Sequence, residues 1–314
     1  MTYFSVTSKT PIFYINLYEN QNRNSHILSL FDRVGFENYE RINAFDTQNF
    51  EKVIKFKDFL GSGTFERLNE ITETKKKEFH EELSTGGVGC ALSHYYICNK
   101  IVENNIDLSI VCEDDFHTDL ESSKFWNLMS KLNIPKDTDM FIIDGTFYGL
   151  EKVENMENTN TISRFNGTYF YIITLQGAKK LLKHLLPIVY HVDSQLSILN
   201  LNLLNIYVYD GPKIIYHSYP KLGTNIHVNV SCPSCKKKNL NYENLEVLSD
   251  DVINDKLEKL EKIYQEQLTF DSLEHFNSYK IKKCHSKCSK ISKYLFYIGF
   301  IIFVIVIIYR CICS

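Results

Sequence analysis

Leu108-Ser109-Ile110-Val111-Cys112-Glu113-Asp114-Asp115 is an apolar, partly β-branched run that ends in three carboxylates. It is too brief for a helix and reads as a short buried strand. The acidic residues then stand at the strand's carboxyl end, where open α/β sheets bind their ligands. Adjacent carboxylates repel one another unless a cation or hydrogen-bond donors compensate. A divalent cation is the economical compensation. All-oxygen ligation favours Mg²⁺ or Mn²⁺, ions that keep waters and recruit substrate phosphates, so the implied substrate carries a diphosphate. In an extended segment alternate side chains share a face, and Glu113 and Asp115 are expected to converge while Asp114 points away. The competing reading is a solvated loop in which Asp115 or Asp119 caps a helix starting near Leu120.

Upstream of this strand, 12–17 and 39–44 read as strands and 24–32 as the helix between them. Ser84-Thr85-Gly86-Gly87 breaks the chain before a helix from about Gly89 to Val102, in which Leu92, Tyr96, Ile97, Ile101 and Val102 fall near helical spacing. Downstream, strands at 140–143, 169–173 and 206–209 alternate with helices at 125–132, 176–186 and 194–199. Such alternation predicts an α/β fold, a mostly parallel sheet flanked by helices on both faces. The charged segment 51–82 shows no clear period.

The 314 residues are 44% apolar with a formal charge of −3, enough to build a substantial core without disulfides and too little positive charge for a nucleic-acid field. The first ten residues are polar and lack the apolar core and cleavage site of a secretory signal. From Asn229 a Lys/Asn-rich stretch leads into 251–270, where Ile253, Leu257, Leu260 and Tyr264 form a narrow apolar stripe. That stripe suits a stalk helix or short coiled coil that would join two copies, and it suits a helix packed on the main domain equally well. Residues 294–309 carry no charge. As a helix they would span about 24 Å, near what a thin internal membrane requires, with aromatic residues at both ends. Lys280, Lys282, Lys283, Lys287, Lys290 and Lys293 precede this span and only Arg310 follows it, so the positive-inside rule leaves the N-terminal part in the cytosol. The expected organisation is a domain over 1–228, a linker and stalk over 229–293, and a single-pass C-terminal anchor over 294–310. Cys284, Cys288, Cys311 and Cys313 flank the span, where palmitoylation occurs. Cys232-Pro233-Ser234-Cys235 has the spacing of half a zinc ribbon, but its distance from Cys284 and Cys288 favours a plain loop.

The ordered set Ile15-Asn16-Leu17 with Arg23, Arg41-Ile42-Asn43-Ala44-Phe45-Asp46, Gly89-Cys90-Ala91-Leu92-Ser93-His94, Glu113-Asp114-Asp115, and Gly167-Thr168-Tyr169 with Gly177-Ala178-Lys179-Lys180-Leu181-Leu182 resembles glycosyltransferase family 25. That family includes bacterial lipooligosaccharide galactosyltransferases and procollagen galactosyltransferases. The likeness covers roughly residues 11–225. It implies a GT-A fold, a nucleotide-sugar donor such as a UDP-hexose, a protein, lipid or glycan acceptor, and inversion at the anomeric carbon. Two departures stand out: Gly87-Val88-Gly89 where the family often has an acidic residue between the glycines, and Cys112 where an aliphatic residue is usual.

By the same resemblance Asp115 is the first candidate metal ligand, with Glu113 or Asp114 beside it, and Asn16, Asp46, Ser93 and His94 lie around the donor. Arg23 offers a bidentate fork for a donor phosphate, and the helix start near Gly89 offers free amides. Asp193 matches the family's acidic position after the Gly-Ala helix and is the candidate general base, with Asp144 as runner-up. His217 and His227 are candidate third metal ligands. The rival to an enzyme is a catalytically silent relative serving as a membrane-bound scaffold. In eukaryotic expression the sequons at Asn166 and Asn229 should stay unglycosylated if the main domain is cytosolic. Glycosidase-sensitive mass on either asparagine would reverse the orientation.

Overall fold

The computed structural model of the chain describes residues 3–200, 203–216 and 247–272. Its principal sheet has eight strands in the order Tyr39–Asn43, Ile12–Asn16, Leu108–Glu113, Phe170–Thr174, Met140–Ile142, Ile206–Tyr209, Thr159–Thr161 and Glu151–Lys152. The first three run parallel, and Met140–Ile142 pairs in parallel with Ile206–Tyr209. Phe170–Thr174 is antiparallel to both its neighbours, and the last two strands add antiparallel pairings. The sheet is therefore mixed rather than mostly parallel. Between Met140–Ile142 and Phe170–Thr174 the chain makes a β excursion, with Thr146–Tyr148 paired to Arg164–Asn166, and no helix. Without a crossover helix the returning strand runs antiparallel.

The central strand is buried on both faces. Ile110 and Cys112 join Ile12, Tyr14, Phe141, Phe170 and Ile172 in a core closed by Ile27, Leu30 and Phe31 of helix Gln21–Val34 and by Phe125 and Met129 of helix Ser122–Met129. Each such side chain contributes about 1.5–3 kcal/mol on burial. On the opposite face lies helix Thr85–Glu103, whose His94 Nδ1 sits 2.8 Å from Tyr171 Oη.

That helix begins at Thr85, four residues before the start expected from the glycine run. Ser84 caps it, its Oγ accepting the Gly87 N–H at 3.2 Å, a contact worth about 1 kcal/mol. Gly89 serves close packing. A Cβ there would stand 2.1 Å from the Phe45 carbonyl oxygen and 2.5 Å from Thr47 Oγ1, which accepts the Gly89 N–H at 2.9 Å. The segment without a clear period forms helix Phe50–Val53, a 3₁₀ turn over Ile54–Phe59 and helix Thr64–Thr74. Beyond it the chain runs along 188–191 through bridges Leu60–Ile188 and Glu82–Tyr190.

The chain forms two compact units, Met1–Glu261 and Lys262–Ser314. In the first, residues 250–261 are helical and lie on the main domain: Ile253 and Leu260 are buried, and Tyr96 Oη donates to Glu261 Oε2 at 2.7 Å. Lys256 Nζ donates to the Asp58 carbonyl at 2.6 Å, and Lys259 pairs with the Asp58 carboxylate. This part of the apolar stripe meets its own domain rather than a second copy. In the second unit, 262–272 are helical. The anchor span 294–310, the four cysteines at 232, 235, 284 and 288, and His217 and His227 lie outside the described residues. Among the described residues no helix is long and apolar enough to cross a membrane.

Gly89→Ala should lower stability by about 2–3 kcal/mol, because the added methyl overlaps backbone that cannot rotate away. A urea unfolding midpoint unchanged from wild type would contradict the packing described.

Candidate active site

The central strand ends at Glu113, and Asp114 and Asp115 occupy the turn after it, so strand alternation does not run through the acidic trio. All three line one cleft of about 600 Å³. Glu113 reaches toward helix Thr85–Glu103, where its Oε1 accepts Thr168 Oγ1 at 2.8 Å and lies 3.7 Å from His94 Nε2. Asp114 turns to the side of helix Gln21–Val34, away from the partners of Glu113, and is the most enclosed of the three. Asn16 Nδ2 donates to its Oδ2 at 2.5 Å and Arg23 Nη1 to its Oδ1 at 2.6 Å. Arg23 Nη2 lies 3.2 Å from Asp115 Oδ2, while Asp115 Oδ1 is buried with no hydrogen bond among the described residues.

One guanidinium thus faces three carboxylates. Burial lifts the Asp114 carboxyl in spite of Arg23. Burial, and then the charge of Glu113, push Asp115 up to about 7. Burial also works to raise Glu113, but His94, Thr168 and Arg23 outweigh it and hold that carboxyl below its usual range. The Asp115 oxygen that has no hydrogen bond among the described residues and its neighbouring carboxylates are oxygen donors of the kind a hard divalent cation takes, though the three do not bring oxygens within 4.8 Å of one another. Arg23, anticipated at a donor phosphate, lines the cleft but spends its fork on Asp114 and Asp115.

Asn16 and Gly89 also line this cleft, together with Phe45, Thr47 and Gln48. Asp46 is not among the lining residues: its Oδ1 accepts the Gln48 N–H at 3.2 Å and its Oδ2 pairs with Lys52. Ser93 is fully buried behind the wall, donating to the Gly89 carbonyl at 2.7 Å and accepting the Phe45 N–H at 3.1 Å. His94 is likewise behind the wall, held between Tyr171 and Glu113.

A second cleft, of about 1670 Å³, meets the first at Cys90 and Glu113. Asp193 stands in its wall, in the first turn of helix Val192–Asn200. Its Oδ2 accepts the Gly167 N–H at 2.9 Å and its Oδ1 the Ser194 N–H at 2.7 Å. Burial raises this carboxyl, and the two amides oppose the rise. Gly167 has φ +102°, and a Cβ on it would meet the Tyr169 ring at 2.2 Å, so the amide that reaches Asp193 requires glycine. Asp144 lines neither cleft; its buried carboxylate accepts Lys213 Nζ at 2.5 Å.

The wall of the second cleft holds groups that sequence reasoning missed, Glu81, Arg164 and His191, and Lys77 stands behind His191. Lys77 Nζ lies 2.9 Å from His191 Nε2, and burial pushes the Lys77 amine down to about 8. Arg164 Nη2 donates to the buried Glu81 Oε1 at 2.6 Å. Lys77 and Glu81 belong to the aperiodic segment, and no local pattern announces partners so distant in sequence.

The family description "Glycosyltransferase family 25 (LPS biosynthesis protein)" matches residues 9–196. The chain belongs to glycosyltransferase family 25. The matched region opens just before strand Ile12–Asn16 and closes inside helix Val192–Asn200, so it takes in both clefts. This family 25 chain is 32% identical over 107 residues to procollagen galactosyltransferase 1 of Danio rerio, covering 32% of the chain and 18% of that protein. It is 27% identical over 186 residues to a glycosyltransferase 25 family member of Drosophila melanogaster, covering 57% of the chain and 28% of the relative. Procollagen galactosyltransferase 1-B of Xenopus laevis is 32% identical over 114 residues, 34% of the chain and 19% of the relative. The chain thus spans less than a third of the length of these curated relatives.

The raised Asp115 carboxyl has a stability consequence. Folded chain keeps that proton to about pH 7, whereas unfolded chain releases it near 4. Between those values the folded state binds more protons, so this group's contribution falls as pH rises. Without divalent cation, Asp115→Asn should therefore be more stable than wild type at pH 8 by more than about 1 kcal/mol, the gap closing toward pH 4. Thermal midpoints measured across that range check it.

Proposed function

We propose that this chain is a metal-dependent, inverting glycosyltransferase that moves a hexose from a nucleotide sugar, such as UDP-galactose or UDP-glucose, to a hydroxyl of a protein, lipid or glycan. The observation that carries this reading is the junction of the two clefts at Glu113, with the acidic trio on one side and Asp193 on the other. Family membership and the galactosyltransferase names of the relatives support the reaction class.

Asp115 and Glu113 are the residues that would hold Mn²⁺ or Mg²⁺. Such an ion neutralises charge on the diphosphate as its bond to the sugar weakens. Arg23 fixes Asp114 and Asp115 in place, and Asn16 anchors Asp114 from the neighbouring strand. His94 and Thr168 keep Glu113 ionised at the junction. In the second cleft an acceptor hydroxyl gives its proton to the Asp193 carboxylate. The raised proton affinity of that group suits it to the task, and the Gly167 and Ser194 amides hold it still.

The reading includes a membrane tether through the uncharged span 294–309, with the clefts on the cytosolic side, supported by the lysines ahead of that span.

With Mn²⁺ and a panel of sugar nucleotides, the purified full-length chain should release nucleoside diphosphate from one of them. Asp115→Ala should abolish that release. Asp193→Asn should lower the transfer rate about 10²–10⁴-fold and leave donor affinity unchanged. Absence of turnover with every donor would favour the silent-scaffold reading, and full activity in Asp193→Asn would remove Asp193 from the base role.

A further inference from the structure

We propose that Cys90, His94 and Glu113 form a second cation site, suited to Zn²⁺ or a similar borderline-soft divalent ion, and that its occupancy closes the junction between the two clefts. Cys90 and His94 are four residues apart on helix Thr85–Glu103 and so share one face. That face meets the end of the central strand, where Glu113 emerges. Cys90 Sγ, a ring nitrogen of His94 and a Glu113 carboxylate oxygen all lie within 4.8 Å of one another, and His94 Nε2 is 3.7 Å from Glu113 Oε1. Tetrahedral zinc holds sulfur, nitrogen and oxygen ligands about 3.5 Å apart, so roughly 1 Å of side-chain rotation completes the set.

His94 gives the independent sign of a ligand. The residue is 2% exposed, and its Nε2 makes no hydrogen bond among the described residues. A buried polar atom left so costs about 1–3 kcal/mol. Its Nδ1 lies 2.8 Å from Tyr171 Oη. When an ion binds, any proton on Nε2 leaves to solvent and the remaining ring proton stays on Nδ1, donated to Tyr171 Oη, so that the Nε2 lone pair faces the ion, the arrangement by which proteins orient metal-bound imidazoles. Cys98 and Cys112 are fully buried, and of the described cysteines Cys90 alone lines a cleft.

A thiol, an imidazole and a carboxylate prefer zinc to magnesium or manganese, whereas the oxygen donors around Asp115 have the opposite preference. On binding, the Cys90 S–H proton passes to solvent, a sulfur–zinc bond forms, and no electron is transferred. Three protein ligands leave a fourth position open to the clefts, so the ion exchanges with solution. Bound zinc draws Glu113 away from the donor side and fills the passage that a transferring sugar would cross. The inhibition rests on the proposed glycosyl transfer; the binding does not.

The test is a Co²⁺ titration of the full chain with Cys232, Cys235, Cys284, Cys288, Cys311 and Cys313 changed to serine, which leaves Cys90, Cys98 and Cys112 as thiols. Thiolate-to-cobalt absorption should appear, saturate at a single Co²⁺ per chain and disappear on adding Zn²⁺. It should be lost in Cys90→Ser, weaken by about tenfold or more in affinity in His94→Gln, and persist in Cys112→Ser. Cys90→Ser is nearly isosteric, so its thermal midpoint should match the parent and its loss of absorption is decisive. No absorption, or absorption surviving Cys90→Ser, overturns the site. In the unmodified chain Zn²⁺ should depress Mn²⁺-supported donor turnover, and in Cys90→Ser it should not, each judged against its own zinc-free rate. Equal inhibition of both overturns the closing of the junction. Cobalt binding in a chain that turns over no donor would keep the site and reject the glycosyltransferase reading instead.

Discussion

Mutual repulsion among Glu113, Asp114 and Asp115 is the constraint around which this domain is arranged. The three carboxylates emerge from a strand buried along its middle, where low polarity magnifies their interaction. Each is settled by a different layer. Asp114 is matched from one face, where helix Gln21–Val34 supplies Arg23 and the adjacent strand supplies Asn16. Glu113 is matched from the other, where helix Thr85–Glu103 supplies His94 and the segment before strand Phe170–Thr174 supplies Thr168. Asp115 receives only a share of Arg23 and keeps an oxygen without a hydrogen bond among the described residues. Burial and the charge of Glu113 then leave Asp115 holding its proton to about pH 7.

Much of this was legible in the letters. The central strand, its parallel neighbours and the flanking helices follow from apolar runs and from the 3.6-residue period, and the acidic trio's place at the strand end follows from them. The mixed sheet was not legible, because the direction of Phe170–Thr174 depends on a connection whose short strands are individually weak signals. The place of Asp115 was not legible for a related reason: alternation stops with the strand at Glu113, and Asp115 shares Arg23 with Asp114. Glycines at 86, 87 and 89 concealed the true start of helix Thr85–Glu103, since a tight approach to the Phe45 carbonyl outweighs their low helix propensity. The stripe from Ile253 to Leu260 specified an apolar face without naming what covers it.

The two clefts differ in how they are built. The first is made by strand ends and helix starts, elements with regular signatures, and its residues were largely anticipated. The second is closed by Glu81, Arg164 and His191, the last backed by Lys77, and their contacts join segments remote in sequence. Buried pairs of that kind contribute uncertainly to stability, because desolvation offsets much of their attraction, but they fix which surfaces meet. Glu113 belongs to both chambers and links two regions of different origin.

The two shorter hydrogen bonds that steady Asp193 come from main-chain amides, those of Gly167 and Ser194, with the Ser194 hydroxyl more distant at 3.5 Å. Their donors do not depend on side-chain identity, apart from the demand for glycine at 167. Residues lining the larger chamber can therefore drift and reshape what it admits while the carboxylate retains its surroundings. The shape of the chamber and the setting of this carboxylate are thereby uncoupled, so that one can change without the other.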